Sequence, residues 1–242
     1  MKTIILCIEN ESISLPVNYN NMIQGLIYTL ISEDKEYADV IHEHGFELGE
    51  RKYKLFTFGQ LEGKCRFAER KLHFSSDINL EIRFADDHMA EIVFNRLLRN
   101  PSIRIGSHNL NVVNLQISEN LIMREQIMIR MKAPLTIHST SENKMTHYYS
   151  PGEPEFRELI LQNLSKKYFA AYGEPYVGVL DFVPLKVSAA DKVVTSFKGI
   201  MITGWKGDYY MEADRKLLNF AYYSGLGDRN SQGFGMFEII SK

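Results

Sequence analysis

The sequence is poor in cysteine, with only Cys7 and Cys65, which lie far apart in the chain. It contains no CxxC pair and no cysteine–histidine spacing of the kind that binds zinc. A disulfide-stabilised secreted scaffold and a zinc module are therefore both unexpected. Two isolated thiols suit a reducing compartment, and we expect a cytoplasmic protein.

Long apolar runs are also missing, so no segment reaches the length of a membrane-spanning helix. The apolar run at residues 3–8 is too short for a signal peptide and is followed by Glu9. No large charge excess is present either, since the formal net charge is −2. A nucleic-acid-binding protein usually has a basic excess, so this total weighs mildly against one, although a balanced total can conceal a basic patch.

Hydrophobic periodicity predicts an α+β protein whose two halves share one order of elements. The first half is predicted to contain a strand (3–9), two helices (19–31 and 34–44), three strands (53–59, 64–74 and 78–84), a helix capped by Asp86 or Asp87, and a strand (110–117). The second half is predicted to contain a strand (121–131), a helix (150–173), three strands (176–187, 192–204 and 208–213), a helix (214–223) and a strand (235–240). Each half approximates β-α-β-β-α-β, which predicts two tandem ferredoxin-like domains at residues 1–120 and 121–242.

A glycine-rich segment precedes the last predicted strand. Its four glycines form a G-x-G-x5-G-x-G pattern at Gly225, Gly227, Gly233 and Gly235. A dinucleotide or P-loop fingerprint is excluded, because no strand precedes the segment, no helix follows it and GK[ST] is absent. Two interpretations stay open: a tight structural turn, or a loop whose backbone amides contact phosphates. In the second, the intervening Arg229, Asn230, Ser231 and Gln232 add donors.

The stretch "GLGDRNSQGFGMFEI" (225–239) closely resembles the C-terminal glycine-rich motif of the RAMP superfamily. It is most similar to the CRISPR-associated endoribonucleases that cut precursor CRISPR RNA within its repeats, the Cas6 family. Further stretches resemble this family in the same order: "YNNMIQGLIYTLI" (19–31), "YADVIHEHGF" (37–46), "YKLFTFGQLEG" (53–63) and "YYSPGEPEFRELILQNLSKKY" (148–168). The resemblance implies tandem ferredoxin-like domains, with catalytic residues in the first and the glycine-rich loop in the second.

The resemblance also implies cleavage without a metal or cofactor. A ribose 2′-OH attacks the adjacent phosphate and leaves a 2′,3′-cyclic phosphate (or 3′-phosphate) and a 5′-hydroxyl. Such a reaction needs a base for the 2′-OH proton, an acid for the departing 5′-oxygen, and a cation or donor that stabilises the phosphorane. Histidine suits proton transfer because its pKa lies near neutrality.

Three residues match catalytic positions of the family. His42, in "ADVIHEHGF", matches its histidine, whereas helical geometry places His44 on the apolar stripe of its helix and predicts a packing or capping role. Tyr28 lies about 60° beyond the apolar face of its helix and matches a tyrosine used near the scissile phosphate; the alternative is a border aromatic residue. Lysine is expected to supply positive charge. Lys54 precedes Leu-Phe-Thr as in the family, and strand alternation places it on the face of Phe56 and Phe58.

Lys52 shares the strand alternation of Lys54 and is its rival as the active-site lysine. The predicted RNA-binding residues are Lys52, Arg229, Asn230, Ser231 and the four glycines Gly225, Gly227, Gly233 and Gly235. A locally basic stretch, residues 51–71, could also follow an RNA backbone or be a solvated face. The remaining histidines, His138 and His147 among them, stand alone in their segments and receive no predicted role.

The implied partner is CRISPR repeat precursor RNA, followed after cleavage by a CRISPR effector complex. No membrane contact is expected, and the sequence does not decide whether the protein pairs as a homodimer. The alternative interpretation is a RAMP-type subunit that holds a guide RNA without cutting it. Such a subunit would keep the glycine-rich loop but could dispense with His42, so the joint presence of His42, Tyr28 and Lys54 favours the nuclease.

Overall fold

The structure, a computed structural model, describes residues 1–32, 46–49 and 51–240. The predicted helix at 34–44, with His42 and His44, lies outside the described residues. No helix in the described part of the chain is long and apolar enough to cross a membrane.

The strands of the first half are β1 (Lys2–Ile8), β2 (Ile13–Pro16), β3 (Phe46–Leu48), β4 (Arg51–Tyr53), β5 (Phe56–Phe58), β6 (Cys65–Ala68), β7 (Lys71–Phe74), β8 (Ile78–Phe84), β9 (Ser102–Ile105) and β10 (His108–Ser118). Five of them form an antiparallel sheet with the order β5-β8-β1-β10-β9. Helices α1 (Asn20–Ile31) and α2 (Asp87–Arg99) pack together against this sheet. The order of β5, β8, β1 and β10 is that of a ferredoxin-like unit.

Alternation of side chains explains the core of this half. Ile4, Leu6 and Ile8 on β1 are fully buried, and so are the residues paired with them on β8. Asp86 caps α2 by accepting from the backbone N–H of His88 at 2.8 Å and of Met89 at 3.3 Å.

The strands of the second half are β11 (Gln126–Met131), β12 (His138–Thr140), β13 (Thr146–Tyr148), β14 (Leu180–Lys186), β15 (Lys192–Phe197), β16 (Ile200–Trp205), β17 (Asp208–Ala213) and β18 (Phe237–Ile239). This half repeats the plan of the first with a four-stranded sheet of order β14-β17-β11-β18. Its helices are α3 (Pro154–Tyr172) and α4 (Arg215–Ser224). The predicted α+β fold with a repeated ferredoxin-like order is confirmed, whereas the boundary at residue 120 stays a prediction.

Two predicted single strands are hairpins in the structure. The segment at 64–74 turns back at Glu69 and Arg70, and the segment at 192–204 turns at Lys198 and Gly199, all four with positive φ. Only the second turn contains the glycine that usually marks a tight hairpin, so the first gave no local signal.

A buried ionic cluster joins the two halves. Arg83 of β8 bonds to Glu81 at 2.7 Å, donates to the carbonyl of Phe237 at 2.6 Å and lies 3.7 Å from the ring centre of Tyr222. Lys132 reaches across to Glu81 at 2.6 Å. Because a charge buried without a partner is costly, this cluster favours a fixed arrangement of the two sheets.

Candidate active site

A cavity of about 400 Å³ lies between the two halves. Residues 52–56 line it from the first half, and His138, Asn163, Lys167, Ser224 and residues 227–232 line it from the second. The volume falls within the range of small-ligand sites, so the cavity can admit a nucleotide-sized group. It is the meeting point of the lysines predicted from sequence and the glycine-rich loop.

Lys54 reaches this cavity because the β-strand is interrupted at the next residue, Leu55. The predicted continuous strand at 53–59 is interrupted: β4 ends at Tyr53, β5 begins at Phe56, and Leu55 has φ +50°. Leu55 is buried in the core of the second half, whereas Phe56 is buried in that of the first. A bulky residue in the left-handed region costs about 1–3 kcal/mol, so the surrounding packing must hold it there. The prediction that Lys54 shares a strand face with Phe56 and Phe58 is therefore wrong, since no strand joins them.

The environment of Lys54 lowers its pKa. Partial burial is the main cause, the like charge of Lys52 adds to it, and Glu47 opposes it. Lys52 is more exposed and lies 3.5 Å from the Glu47 carboxylate. The two lysines are therefore neighbours in the same cavity, with Lys54 the more enclosed.

Tyr28 meets the cavity through the glycine-rich loop. The residue is half-buried, its ring packs edge-on to Phe56 at 5.9 Å, and its hydroxyl lies close to the side chain of Ser231, which lines the cavity. Burial raises the pKa of Tyr28, and the nearby Ser231 side chain opposes the shift. Tyr28 is thus a neutral donor or acceptor near neutral pH, in line with an orienting role.

The first half holds the second part of the glycine-rich loop by its carbonyl oxygens. Asn20 donates to the carbonyl of Gln232 at 3.0 Å, Gln24 to that of Ser231 at 2.8 Å, and Thr57 to that of Phe234 at 3.1 Å. Asn20 and Gln24 extend from α1, the helix that carries Tyr28. The bonds from Asn20 and Gln24 fix the loop against α1.

The protein's own packing accounts for the glycines of this loop. All four are buried and have positive φ, from +64° to +84°. A Cβ at Gly233 would lie 2.5 Å from Phe58, and one at Gly227 would overlap the carbonyl of Thr136. The structural-turn interpretation therefore suffices to explain glycine here. Contact of Gly225, Gly227, Gly233 and Gly235 with RNA stays a prediction without support from this geometry.

Lys167 stabilises the loop from inside. It is fully buried, and its ammonium donates to the carbonyls of Gly225 and Gly227 and, at 2.9 Å, to Oδ1 of Asn230. Burial lowers the pKa of Lys167 to about 7, partly opposed by Asp228. Asn230 also donates to the carbonyls of Leu226 at 2.8 Å and Phe234 at 3.1 Å. Its side chain thus holds the loop together, and its predicted contact with RNA stays a prediction.

Asp228 links the loop to His138. Its Oδ2 lies 2.8 Å from Nδ1 of His138 and accepts the backbone N–H of His138 at 3.1 Å. Its Oδ1 accepts from Asn163 at 2.8 Å. No local sequence signal marks this pair, because the two residues are 90 positions apart and His138 stands alone in its segment.

Comparison with known proteins identifies the family. Residues 117–239, just over half of the chain, match the family model described as CRISPR associated protein Cas6, C-terminal. The chain belongs to the Cas6 family. The resemblance found in the sequence is thereby confirmed.

Two curated Cas6 proteins are similar over most of their length. The chain is 24% identical to the CRISPR-associated endoribonuclease Cas6 of Pyrococcus furiosus, covering 96% of this chain and 86% of the relative. It is 26% identical to CRISPR-associated endoribonuclease Cas6 1 of Methanocaldococcus jannaschii, covering 92% of this chain and 86% of that relative. A solved structure titled CRISPR associated protein Cas6 superposes with a TM-score of 0.79 at 23% identity, covering 100% of this chain and 99% of that one. The tandem ferredoxin-like fold is therefore shared with the Cas6 family.

Most of the predicted Cas6 site residues converge. Lys52, Lys54, Gly227, Arg229, Asn230 and Ser231 line one cavity, and Tyr28 contacts Ser231. Gly225, Gly233 and Gly235 are buried elsewhere in the loop, and His42 lies outside the described residues. Among the described residues, no group of three or more His, Cys, Asp and Glu side chains could hold a metal ion.

Proposed function

We propose that this Cas6 family member is a metal-independent endoribonuclease that cleaves CRISPR precursor RNA within its repeats. The names of its relatives, CRISPR-associated endoribonuclease, support the class of activity. The observation that carries the proposal is the cavity in which Lys54 lies beside the family's glycine-rich loop, whose Ser231 is close to Tyr28.

The proposed reaction is an attack of the ribose 2′-OH on the adjacent phosphorus atom. Lys54 stabilises the charge of the phosphorane, because its ammonium lies in a partly desolvated cavity where electrostatic interactions are stronger than in water. The Tyr28 hydroxyl, which lies close to Ser231 of the glycine-rich loop, positions the phosphate. His42 protonates the departing 5′-oxygen. The products are a 2′,3′-cyclic phosphate and a 5′-hydroxyl.

RNA recognition in this proposal combines the cavity with nearby charge. Arg229 and Lys52 line the cavity and would contact phosphates flanking the cut. After cleavage, the guide RNA would pass to a CRISPR effector complex. Sedimentation with and without RNA would test whether a homodimer forms.

The first experiment is incubation of the protein with a labelled CRISPR repeat RNA in EDTA, beside a copy with one 2′-deoxy substitution at the cut site. We expect cleavage of the first RNA and survival of the second. Cleavage of both would refute 2′-OH attack, and loss of cleavage in EDTA that added metal restores would refute metal independence. Tight binding without cleavage would instead indicate a subunit that holds RNA.

His42→Ala tests the assignment of the acid. We expect a rate lower by about 10²–10⁴, the usual contribution of general acid–base catalysis, with RNA affinity nearly unchanged. His108→Ala is a suitable control, since His108 begins β10 and does not line the cavity. Equal rates for His42→Ala and wild type would refute this role.

A further inference from the structure

His138 combines three features that the proposed mechanism has not yet used. It begins β12 in the second half, it lines the cavity that contains Lys54, and 24% of its side chain is exposed. Its Nδ1 atom, in contrast, is fully buried and lies 2.8 Å from the Asp228 carboxylate. The exposed part of the imidazole is therefore the remainder of the ring, beyond Nδ1.

The carboxylate next to His138 is rigidly placed. One Asp228 oxygen accepts from Asn163 at 2.8 Å, the other accepts the backbone N–H of His138 at 3.1 Å, and the Asp228 N–H donates to the Thr136 carbonyl at 2.8 Å. Nδ1 and the carboxylate are not aligned as a hydrogen bond, but a negative charge 2.8 Å from Nδ1 favours the tautomer with a proton on Nδ1 and a lone pair on Nε2. The lone pair on Nε2 makes this imidazole available as a base.

We propose that His138 is the general base of the cleavage reaction, a role that rests on the proposed endoribonuclease function. Nε2 of neutral His138 takes the 2′-OH proton while the 2′-oxygen forms its bond to phosphorus. The bond from phosphorus to the 5′-oxygen breaks, and the 5′-oxygen takes a proton from the acid, assigned to His42. The imidazolium of His138 is stabilised by Asp228 and then returns its proton to water.

The surroundings of His138 fit a proton acceptor for an anionic substrate. Its ring lies 5.3 Å from that of Tyr148, and the Arg229 guanidinium is 6.0 Å from the Tyr148 ring centre. Among the described residues that line the same cavity, Lys52, Lys54 and Arg229 carry positive charge, whereas Lys167 is buried against the glycine-rich loop. Lys52, Lys54 and Arg229 would hold the phosphate, while the His138 ring accepts the proton.

The same hairpin provides a matched control. His147 lies on β13, and its Nε2 is 2.7 Å from a Glu153 oxygen, so it too is paired with a carboxylate. It is 60% exposed and does not line the cavity. A role of His138 in the reaction is therefore separable from a general effect of losing a histidine–carboxylate pair on this hairpin.

The decisive experiment compares single-turnover cleavage of ordinary repeat RNA with that of an RNA whose 5′-bridging oxygen at the cut site is sulfur. A thiolate leaves without protonation, so this RNA needs the base but not the acid. We expect His138→Gln to lower the rate by about 10²–10⁴ on both RNAs. His42→Ala should be slow on ordinary RNA and largely restored on the sulfur RNA, and His147→Gln should match wild type on both.

Several results would overturn the base assignment. A His138→Gln protein that cleaves at the wild-type rate, or whose loss the sulfur RNA restores, excludes His138 as the base. If wild type cleaves neither RNA, the endoribonuclease proposal fails and this role fails with it; if wild type cleaves, only the role of His138 is at stake. His138→Gln and wild type should bind the 2′-deoxy RNA with equal affinity, because the only RNA group that His138 contacts in this proposal, the 2′-OH, is absent from that RNA.

A second variant covers the case in which His138→Gln does not fold. His138→Ala leaves space for a free imidazole, and added imidazole should restore part of its cleavage rate. A folded His138→Ala protein with a lowered rate that imidazole does not raise would show that the side chain serves only to hold the loop.

Discussion

Replacement of Lys167 by methionine is the sharpest test of how the glycine-rich loop is held. Methionine has a similar length but no charge and no N–H donor. The buried carbonyls of Gly225 and Gly227 and the side-chain oxygen of Asn230 would each lose a donor. Asp228 would also lose a nearby positive charge.

The expected change in the free energy of unfolding follows from the three oxygen atoms that lose the ammonium as a donor. A buried acceptor left without a partner costs about 1–3 kcal/mol, and removing the ammonium also removes its own desolvation cost, which offsets part of the loss. We expect Lys167→Met to lower the free energy of unfolding by about 2–4 kcal/mol. For a chain of this size, that corresponds to a melting temperature lower by roughly 5–15 °C.

The assay is thermal unfolding at pH 6.5, with Lys166→Met as the control. Lys166 is exposed on the same helix, so its replacement should change the melting temperature by little. RNA cleavage should fall in Lys167→Met even well below its melting temperature, because the loop that Lys167 holds carries Ser231, the neighbour of Tyr28 in the proposed active site. A Lys167→Met protein as stable and active as the control would refute the proposed role of the ammonium.

The pH dependence of the same pair gives an independent check. In the folded protein the pKa of Lys167 is lowered to about 7, whereas an unburied lysine has 10.5. Between these values the unfolded chain binds the proton and the folded protein does not, so stability rises with pH. The stability of wild type relative to Lys167→Met should therefore grow between pH 7 and pH 9, by up to about 1.4 kcal/mol per unit. If the difference in unfolding free energy between wild type and Lys167→Met stayed constant from pH 7 to pH 9, the three oxygen atoms would be keeping Lys167 protonated.

Two further predictions concern the lysines and the glycines. Lys54→Gln should lower the cleavage rate by about 10²–10³, as loss of a transition-state donor does, whereas Lys52→Gln should cost much less. Because burial and then Lys52 lower the pKa of Lys54, Lys52→Gln should move the alkaline limb of the pH–rate profile to higher pH, and an unmoved limb would contradict the assignment. Gly233→Ala places a Cβ 2.5 Å from Phe58 and should lower the melting temperature. Gly152→Ala, with no atom within 4 Å of the new carbon, should not, and equal melting temperatures for the two would contradict the packing argument.

Local pattern was enough to predict most of the architecture. Alternating apolar residues on β1 and β8 and the capping Asp86 each gave a periodic or positional signal that the structure confirms. The family resemblance singled out Lys54 and the glycine-rich loop, and the structure places both in one cavity.

Two features had no local signal. Nothing around Leu55 marks a left-handed residue, because its conformation follows from the two cores that Leu55 and Phe56 occupy on opposite sides of the break. The His138–Asp228 pair depends on a contact across 90 residues, which no periodicity reports. The glycines gave a clear signal whose cause was ambiguous, since a close approach by RNA and one by Phe58 demand the same residue type.

The loop's attachment to α1 has a consequence for the order in which the protein becomes active during synthesis. Gln24 and Ser231, which meet in the folded protein, are separated by 207 positions. The chain leaves the ribosome from its N-terminus, so Tyr28 and Lys54 are made long before the loop that completes their cavity. At about 5–20 residues per second, this delay is on the order of ten to forty seconds. A partly made chain would thus carry the predicted catalytic residues without a formed cavity. It would not cleave precursor RNA until the glycine-rich segment emerges from the ribosome.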